Sequence, residues 1–332
     1  MLIMNKKVIV TGGLGFIGSY LVKKLIKEGW KVYIIDSAIR GNVERISDIL
    51  SEIKLYQLDI RDEESVLGVF KKVKAELVIH LAAINGTENF YQHPQLVLEV
   101  GIKGILSIIN ACQKADVPDL ILASSAEVYQ EAKIIPTSED IPLIIPNSLN
   151  PRYSYAGSKI ISELIAFNYF KEHFRKVQVF RPHNIYGPDM GWKHVIPQLI
   201  MQINKLSNSY EVLPITIQGS GNETRAFCYI DDAVDGILKM YELGKHREIY
   251  NIGNNQEISI LKLINFIEDF INVKLKINIS PLKQGSVLRR CPDISKISSI
   301  GYAPKINIEE GLKRTIKWYL NNSQESLKKS LK

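Results

Sequence analysis

Tyr155 and Lys159 lie four residues apart in Tyr155-Ala-Gly-Ser-Lys159, a spacing that sets both side chains on one face of a helix. An ammonium beside a phenol, with a further positive charge close by, favours the phenolate. A phenolate so placed can take a proton from a substrate hydroxyl while hydride leaves for a bound acceptor. Such a pair is common by chance and gains weight from what precedes it. In Val8-Ile-Val-Thr11-Gly12-Gly13-Leu14-Gly15-Phe16-Ile17-Gly18, an apolar run meets three glycines at three-residue spacing and then a helical pattern. Glycine there tolerates positive φ and lets backbone amides approach a pyrophosphate at a helix N-terminus, where the dipole favours negative charge. Gly12, Gly15, Phe16, Ile17 and Gly18 are therefore candidate contacts to a dinucleotide. Asp36 closes the next apolar run; its carboxylate can accept from the adenosine ribose and repel a 2′-phosphate, which favours NAD over NADP. Arg40, nearby, weakens that preference.

Two stretches extend this site. The Asp59 carboxylate, followed by Ile60, can reach the adenine amine, and Leu81, Ala82 and Ala83 after His80 leave room for a flat dinucleotide. Either also fits ordinary strand-end packing. Ser125 follows a buried run and so falls at the carboxyl end of a strand, where open α/β sheets hold ligands. It can hydrogen-bond the same hydroxyl as Tyr155.

Positioning these groups requires a scaffold, and the pattern supplies one. Lys7–Val10, Lys31–Ile35, Lys54–Leu58, Leu77–Leu81, Leu120–Ala123 and Val177–Phe180 read as buried strands, with helical segments near 16–28, 63–73, 95–115 and 157–173 between them. The alternation predicts an α/β fold, a Rossmann-type doubly wound parallel sheet with helices on both faces. Past residue 181, Pro182, Pro188, Pro197 and Pro214 break the pattern. Helices near 259–271 and 309–320 then predict a smaller C-terminal α/β lobe, with a substrate cleft between the two parts. The expected division is 1–180 for the dinucleotide domain with its Tyr–Lys helix, 181–320 for the mainly substrate-binding lobe, and 321–332 for a lysine-rich tail holding Lys328, Lys329 and Lys332.

Cys112, Cys228 and Cys291 are odd in number and far apart, which fits neither a disulfide framework nor a zinc pattern; reduced thiols and no metal are expected. No apolar run reaches the roughly 18 to 20 residues of a membrane span and no leader precedes the first strand, so a cytoplasmic protein without a membrane partner is expected. The net charge of +7 reads as a solvated, lysine-rich surface. No basic stretch is interleaved with aromatics, and no nucleic-acid partner is expected.

Taken together, the glycine turn, His80-Leu-Ala-Ala83, Ser124-Ser-Ala-Glu-Val-Tyr129, Tyr155-Ala-Gly-Ser-Lys159 and Arg181-Pro-His-Asn-Ile-Tyr-Gly-Pro188 resemble an extended short-chain dehydrogenase/reductase of the NAD-dependent epimerase/dehydratase family. The resemblance covers nearly the whole chain. It implies NAD as cofactor and a nucleotide-diphosphate sugar as substrate. It places Asn184, the stretch His194–Pro197 with Val195, and Gln218-Gly-Ser-Gly221 against that substrate. Arg225 matches the family's diphosphate-binding arginine, and Arg289 or Arg290 would supply a second guanidinium. Two arginines facing a diphosphate can each make bidentate, charge-assisted bonds. The resemblance further implies that helices 95–115 and 157–173 pair across a two-fold axis as a four-helix bundle. Apolar residues on more than one face of these helices agree with such a homodimer.

Members of this family begin by oxidising the sugar at C4 or a neighbouring carbon. The later steps turn on the residue at Glu127: 4,6-dehydratases and glucuronate decarboxylases carry Glu there, and simple 4-epimerases a small or neutral residue. A carboxylate can remove the C5 proton once a 4-ketone has made it acidic. The expectation is therefore a 4,6-dehydratase with Ser125, Glu127, Tyr155 and Lys159 as its catalytic set. An epimerase or C4 dehydrogenase is the alternative, and a decarboxylase or an NAD-sensing protein without turnover ranks below both. Two positions depart from the family's pattern. Ala126 stands where dehydratases carry Asp or Ser, so Glu127 must act as base and acid, or water must help. Gly101 stands where Asn is usual, so backbone or water must support the lysine.

Overall fold

A computed structural model describes residues 6–206, 212–282 and 286–322. Lys328, Lys329 and Lys332 of the expected tail lie outside the described residues. The chain runs β1 (Lys7–Thr11), α1 (Phe16–Lys27), β2 (Lys31–Asp36), β3 (Ile53–Gln57), α2 (Glu63–Val73), β4 (Leu77–His80), α3 (Thr87–Gln92), α4 (Pro94–Lys114), β5 (Asp119–Ala123), α5 (Ser154–Asn168) and β6 (Lys176–Pro182). It continues through β7 (Ile185–Tyr186), α6 (Val195–Leu206), β8 (Val212–Gln218), β9 (Thr224–Ala226), β10 (Cys228–Tyr229), α7 (Ile230–Leu243) and β11 (Glu248–Ile252). Last come β12 (Glu257–Ser259), α8 (Ile260–Ile271), β13 (Lys274–Ser280), β14 (Arg289–Arg290), α9 (Ser295–Ser298) and α10 (Ile308–Asn321).

A seven-stranded sheet in the order β3-β2-β1-β4-β5-β6-β11 forms the centre, and every pair in it is parallel. Side chains on β1 alternate between two cores. Val8 and Val10 pack with Leu21, Leu25 and Ile237, while Ile9 packs with Phe70, Ile105 and Ile108 on the opposite face. Burial on both faces is what an all-parallel sheet requires. The order reverses between β1 and β4, which opens a crevice at their carboxyl ends and fixes where a ligand can enter.

Three features differ from the sequence expectation. The catalytic helix begins at Ser154, not near 157, so Tyr155 sits in its first turn; Asn150 starts the chain into it by accepting from the Arg152 amide (3.0 Å). A seventh strand, β11, returns from the C-terminal part to pair with β6 after the crossover helix α7. A five-residue run of this kind looks the same wherever it docks. Finally, α4 has 21 residues and a mean hydropathy of 1.5 over its most apolar 18-residue window, long and apolar enough to cross a membrane by length and composition, which overturns the reading that no stretch is. Its apolarity serves packing instead: it lies between α2 and α5, and 56% of its most apolar window is buried inside the fold.

The smaller lobe is built from the parallel pair β8–β13, the three-stranded sheet β12-β9-β14 and helices α6, α8 and α10. In its short sheet, β9 carries Arg225 and β14 carries Arg289 and Arg290.

Candidate active site

The glycine turn links β1 to α1 at the crevice. Gly12 has φ +74°, and a Cβ there would stand 2.8 Å from the Ala82 amide nitrogen. A Cβ on Gly18 would run into the Gly12 carbonyl, so only hydrogen lets α1 start beneath the turn. Asp36 is buried at the end of β2, its carboxylate accepting from the amides of Leu14 (3.0 Å) and Ala38 (2.9 Å). About two acceptor positions then remain for ribose hydroxyls. Thr11 Oγ1 accepts from the Ala82 amide (3.2 Å) and meets His80 Nδ1 at 2.7 Å, which locks the Leu81–Ala83 segment beside the turn. These residues fit a dinucleotide. Asp59 is otherwise engaged: Arg61 grips it at 2.7 Å and holds its carboxyl below the usual range, while Ile60 packs on Gly104 of α4. Arg40 donates to the Asn85 carbonyl, and its charge acts on Tyr155.

Ser125, Tyr155 and Lys159 come together at the end of β5. The Ser125 oxygen accepts from the Glu127 amide (3.1 Å), capping the short 3₁₀ turn Ala126–Tyr129, and the same side chain lies near enough to favour the ionised Tyr155 phenol. Lys159 Nζ donates to the Ala123 carbonyl (2.7 Å) and stands 5.8 Å from the centre of the Tyr155 ring. Backbone thus replaces the amide missing at Gly101. An asparagine there would force Ser158 or the two helices to shift, because a Cβ on Gly101 would come within 2.6 Å of Ser158 where α4 crosses α5.

Burial pushes the Tyr155 phenol up to about 12, with Glu127 adding to the rise and Ser125 and Arg40 opposing it. Burial pushes the Lys159 ammonium down to about 8, against the pull of Glu163. The lysine by itself therefore does not overcome the desolvation of the phenol.

Glu127 faces a basic cluster. Arg290 Nη1 reaches it at 2.6 Å, and Arg152 Nη2 stands 3.9 Å away. Burial pushes the Glu127 carboxyl up, but Arg290, Arg152 and Arg225 outweigh it and hold the group below the usual carboxylate range. The two arginine candidates separate cleanly. In the β14–β9 pairing Arg290 lies beside Arg225 and Arg289 beside Thr224, and successive side chains leave opposite faces of a strand. Arg289 accordingly turns outward to Glu257 (2.7 Å) and is exposed, while Arg290 turns inward. Arg225 donates to the Val287 carbonyl (2.6 Å), and burial together with Arg290 pushes it down to about 10.

Asn184 takes φ +43° and donates to the Ala226 carbonyl (3.2 Å); Val195 opens α6 and is exposed. In the Gln218–Gly221 stretch the amides of Ser220 and Gly221 are taken by the Glu223 carboxylate (3.0 and 2.8 Å). Sequence reasoning did not find Arg152, three residues before Tyr155, or Phe90, whose ring stacks on Tyr155 at 5.0 Å and 11°. It also did not find Glu163, although its place four residues past Lys159 on the same helix face was a usable signal.

Residues 8–253 match the NAD-dependent epimerase/dehydratase family. The chain is 32% identical over 319 residues to a putative UDP-glucose 4-epimerase of Methanocaldococcus jannaschii, spanning 96% of this chain and 99% of that one. The UDP-glucose 4-epimerase of Thermotoga maritima, solved with UDP-glucose, superposes with a TM-score of 0.84 at 29% identity, over 97% of this chain and 99% of that one. A double mutant of DesIV, the dTDP-glucose 4,6-dehydratase of Streptomyces venezuelae, solved with NAD and DAU bound, gives a TM-score of 0.84 at 27% identity, over 96% and 98%. The glycine turn, Asp36 and the Ser125–Tyr155–Lys159 cluster are what such a match requires of the residues themselves. The chain belongs to the NAD-dependent epimerase/dehydratase family: it is an NAD-dependent enzyme of a group that acts on nucleotide sugars.

Proposed function

We propose that this enzyme is a nucleotide-sugar 4,6-dehydratase, which oxidises the hexose at C4, removes water across C5 and C6, and returns the hydride to C6 and a proton to C5. The proton lost from the C4 hydroxyl to Tyr155 closes the balance. The observation that carries the reading is Glu127, a carboxylate held ionised by Arg290 at 2.6 Å and close enough to act on the Tyr155 phenol. Removing a C5 proton needs such a base; inverting C4 does not.

Ser125 and Tyr155 hold the C4 hydroxyl, and Tyr155 takes its proton. NAD, when bound along the Gly12–Gly18 turn, supplies the hydride acceptor and a positive ring that draws the phenol down from about 12. Lys159, fixed on the Ala123 carbonyl, steadies the phenolate. Glu127 then takes the C5 proton, made acidic by the new ketone. Because its carboxyl lies below the usual range, its acid form is a ready donor, and it passes that proton to the departing C6 hydroxyl. One carboxyl thus serves in both roles, and Ala126 need not be an acid. Arg225 and Arg290 face the diphosphate. Val195, Asn184 and the Gln218–Gly221 stretch line the sugar-nucleotide path on this reading.

Ala126 itself favours a second reading, a 4-epimerase, since no side-chain acid stands beside Glu127. The Glu127–Arg290 pair would then only pin β14 onto the turn after β5. Incubation with UDP-, GDP-, dTDP- and CDP-hexoses, read by mass, separates the two. Loss of one water supports dehydration, while unchanged mass with altered stereochemistry overturns it in favour of epimerisation. Loss of two hydrogens with NADH accumulating would make the enzyme a dehydrogenase. Glu127→Gln is expected to abolish water loss while the C4 hydrogen is still abstracted.

We further propose a cytoplasmic homodimer joined through α4 and α5. These helices pack side by side and leave Leu98, Ile161 and Leu164 exposed, and Cys112, Cys228 and Cys291 are free thiols. Sedimentation of Leu164→Glu is expected to give a monomer where the unaltered chain gives a dimer.

A further inference from the structure

Beneath the catalytic groups runs a buried polar chain that the proposed reaction does not use. Glu163 lies one helical turn past Lys159 on α5. Its Oε1 accepts from the Ser124 hydroxyl and from Arg181 Nε (2.9 Å), and its Oε2 from Arg181 Nη2 (2.6 Å). Arg181, on β6 and only 2% exposed, also donates through Nη1 to the Tyr129 hydroxyl (2.8 Å) and the Glu139 carbonyl (3.0 Å). The Tyr129 hydroxyl donates in turn to Asn251 Oδ1 (2.7 Å) on β11.

One guanidinium therefore ties together all three segments that carry the proposed catalytic side chains. Glu163 belongs to the helix of Tyr155 and Lys159. Ser124 precedes Ser125, and Tyr129 ends the turn that carries Glu127. An apolar pair of similar volume would avoid the desolvation cost of a buried ion pair. What the pair adds is direction, because a two-pronged guanidinium–carboxylate contact admits one relative placement of α5 and β6.

We propose that Glu163, clamped by Arg181, is a positioning residue that holds Lys159 at the Ala123 carbonyl and fixes the separation of Ser125 from Tyr155. This rests on the roles proposed for Lys159 and Tyr155 in C4 oxidation. The groups around Lys159 that can carry charge are few. Tyr155 and Glu163 share its helix, and His80 on β4 is neutral, pushed down to about 3 by burial with Lys159 adding to the fall. Glu127 on the 126–129 turn pairs with Arg290, Arg152 lies just before α5, and Arg181 on β6 is spent on Glu163. On α4, Glu99 pairs with Lys103 and with Arg61. Glu163 is the group that opposes the burial of Lys159.

The charged ammonium is present below its midpoint and lost above it. Removing Glu163 therefore moves the alkaline loss of activity to lower pH. The test uses the full-length enzyme labelled with ¹³C at lysine Cε, with Lys159 assigned through Lys159→Arg, and follows its titration in the wild type, Glu163→Gln and the Glu163→Gln/Arg181→Gln double variant. The wild-type midpoint is expected at about 8. In Glu163→Gln it should fall by about one pH unit, and the alkaline limb of kcat/KM on the sugar nucleotide the panel selects should fall with it. If Glu163→Gln does not fold, the double variant, which leaves no unpaired buried charge, carries the measurement. A Lys159 midpoint unchanged in the folded variants overturns the proposal, however much stability they lose. Wild-type enzyme that turns over no sugar nucleotide defeats the functional reading instead, and the titration still judges Glu163.

Discussion

Gly101 is the residue whose type the sequence showed and whose reason it hid. The departure from asparagine can be read from one position, but its cause is the distance between two helices. Ser158 fills the space, and Ala123 supplies the lysine's partner. Gly101→Asn is accordingly expected to lower stability by about 1–3 kcal/mol, because the clash is with a side-chain root and not a flexible tip. Urea denaturation of Gly101→Asn, Ser158→Gly and the pair should show the double variant losing less than the sum of the singles; additive losses would mean the two positions do not meet. Tyr155→Phe should keep its stack on Phe90 and its affinity for NAD while turnover drops by at least about 100-fold. Isothermal titration beside a turnover assay tests both halves. The placement of Tyr155, Lys159 and Ser125 was legible because it follows from spacing and strand-end position. Arg152 and Phe90 were not, since each reaches the site from a loop or short helix with no periodic signature.

Elements decide which of two adjacent arginines turns inward. Nothing in Arg289-Arg290 distinguishes them as text; the β14–β9 register does, sending Arg290 to Glu127 and Arg289 to Glu257. Steady-state kinetics should show Arg290→Ala losing about 100-fold or more in kcat/KM, since it leaves half-buried Glu127 with only the longer contact to Arg152 (3.9 Å), with Arg289→Ala within about threefold of wild type. Equal losses would contradict the register. The six strands of the first half were legible because burial on both faces writes continuous apolar runs. β11 was not, because strand order is settled by the crossover helix α7 and not by composition.

At the scale of the whole molecule, two imidazoles set the acid limit. Burial pushes His80 and His183 each down to about 3. In the unfolded chain they protonate near 6.5, so between these values the unfolded state binds more protons and stability falls as pH falls. Each contributes about 1.4 kcal/mol per pH unit in that window. Urea midpoints measured from pH 7 to 4 should decline accordingly, and His80→Asn should flatten the slope; a pH-independent midpoint would rule this out. NAD should raise the melting temperature more than NADP at equal concentration, given Asp36 at the end of β2.

The return of β11 to the edge of the sheet has a consequence for synthesis. A ribosome that has delivered residue 182 has delivered Ser125, Glu127, Tyr155 and Lys159 but none of the proposed substrate-side residues from Asn184 onward, and β6 still presents an unpaired row of amides and carbonyls. That open edge persists until Ile252 emerges, 70 residues later by numbering (252 − 182). A truncated chain ending near residue 180 is therefore expected to self-associate through β6, while one ending past Ile252 can close its own edge.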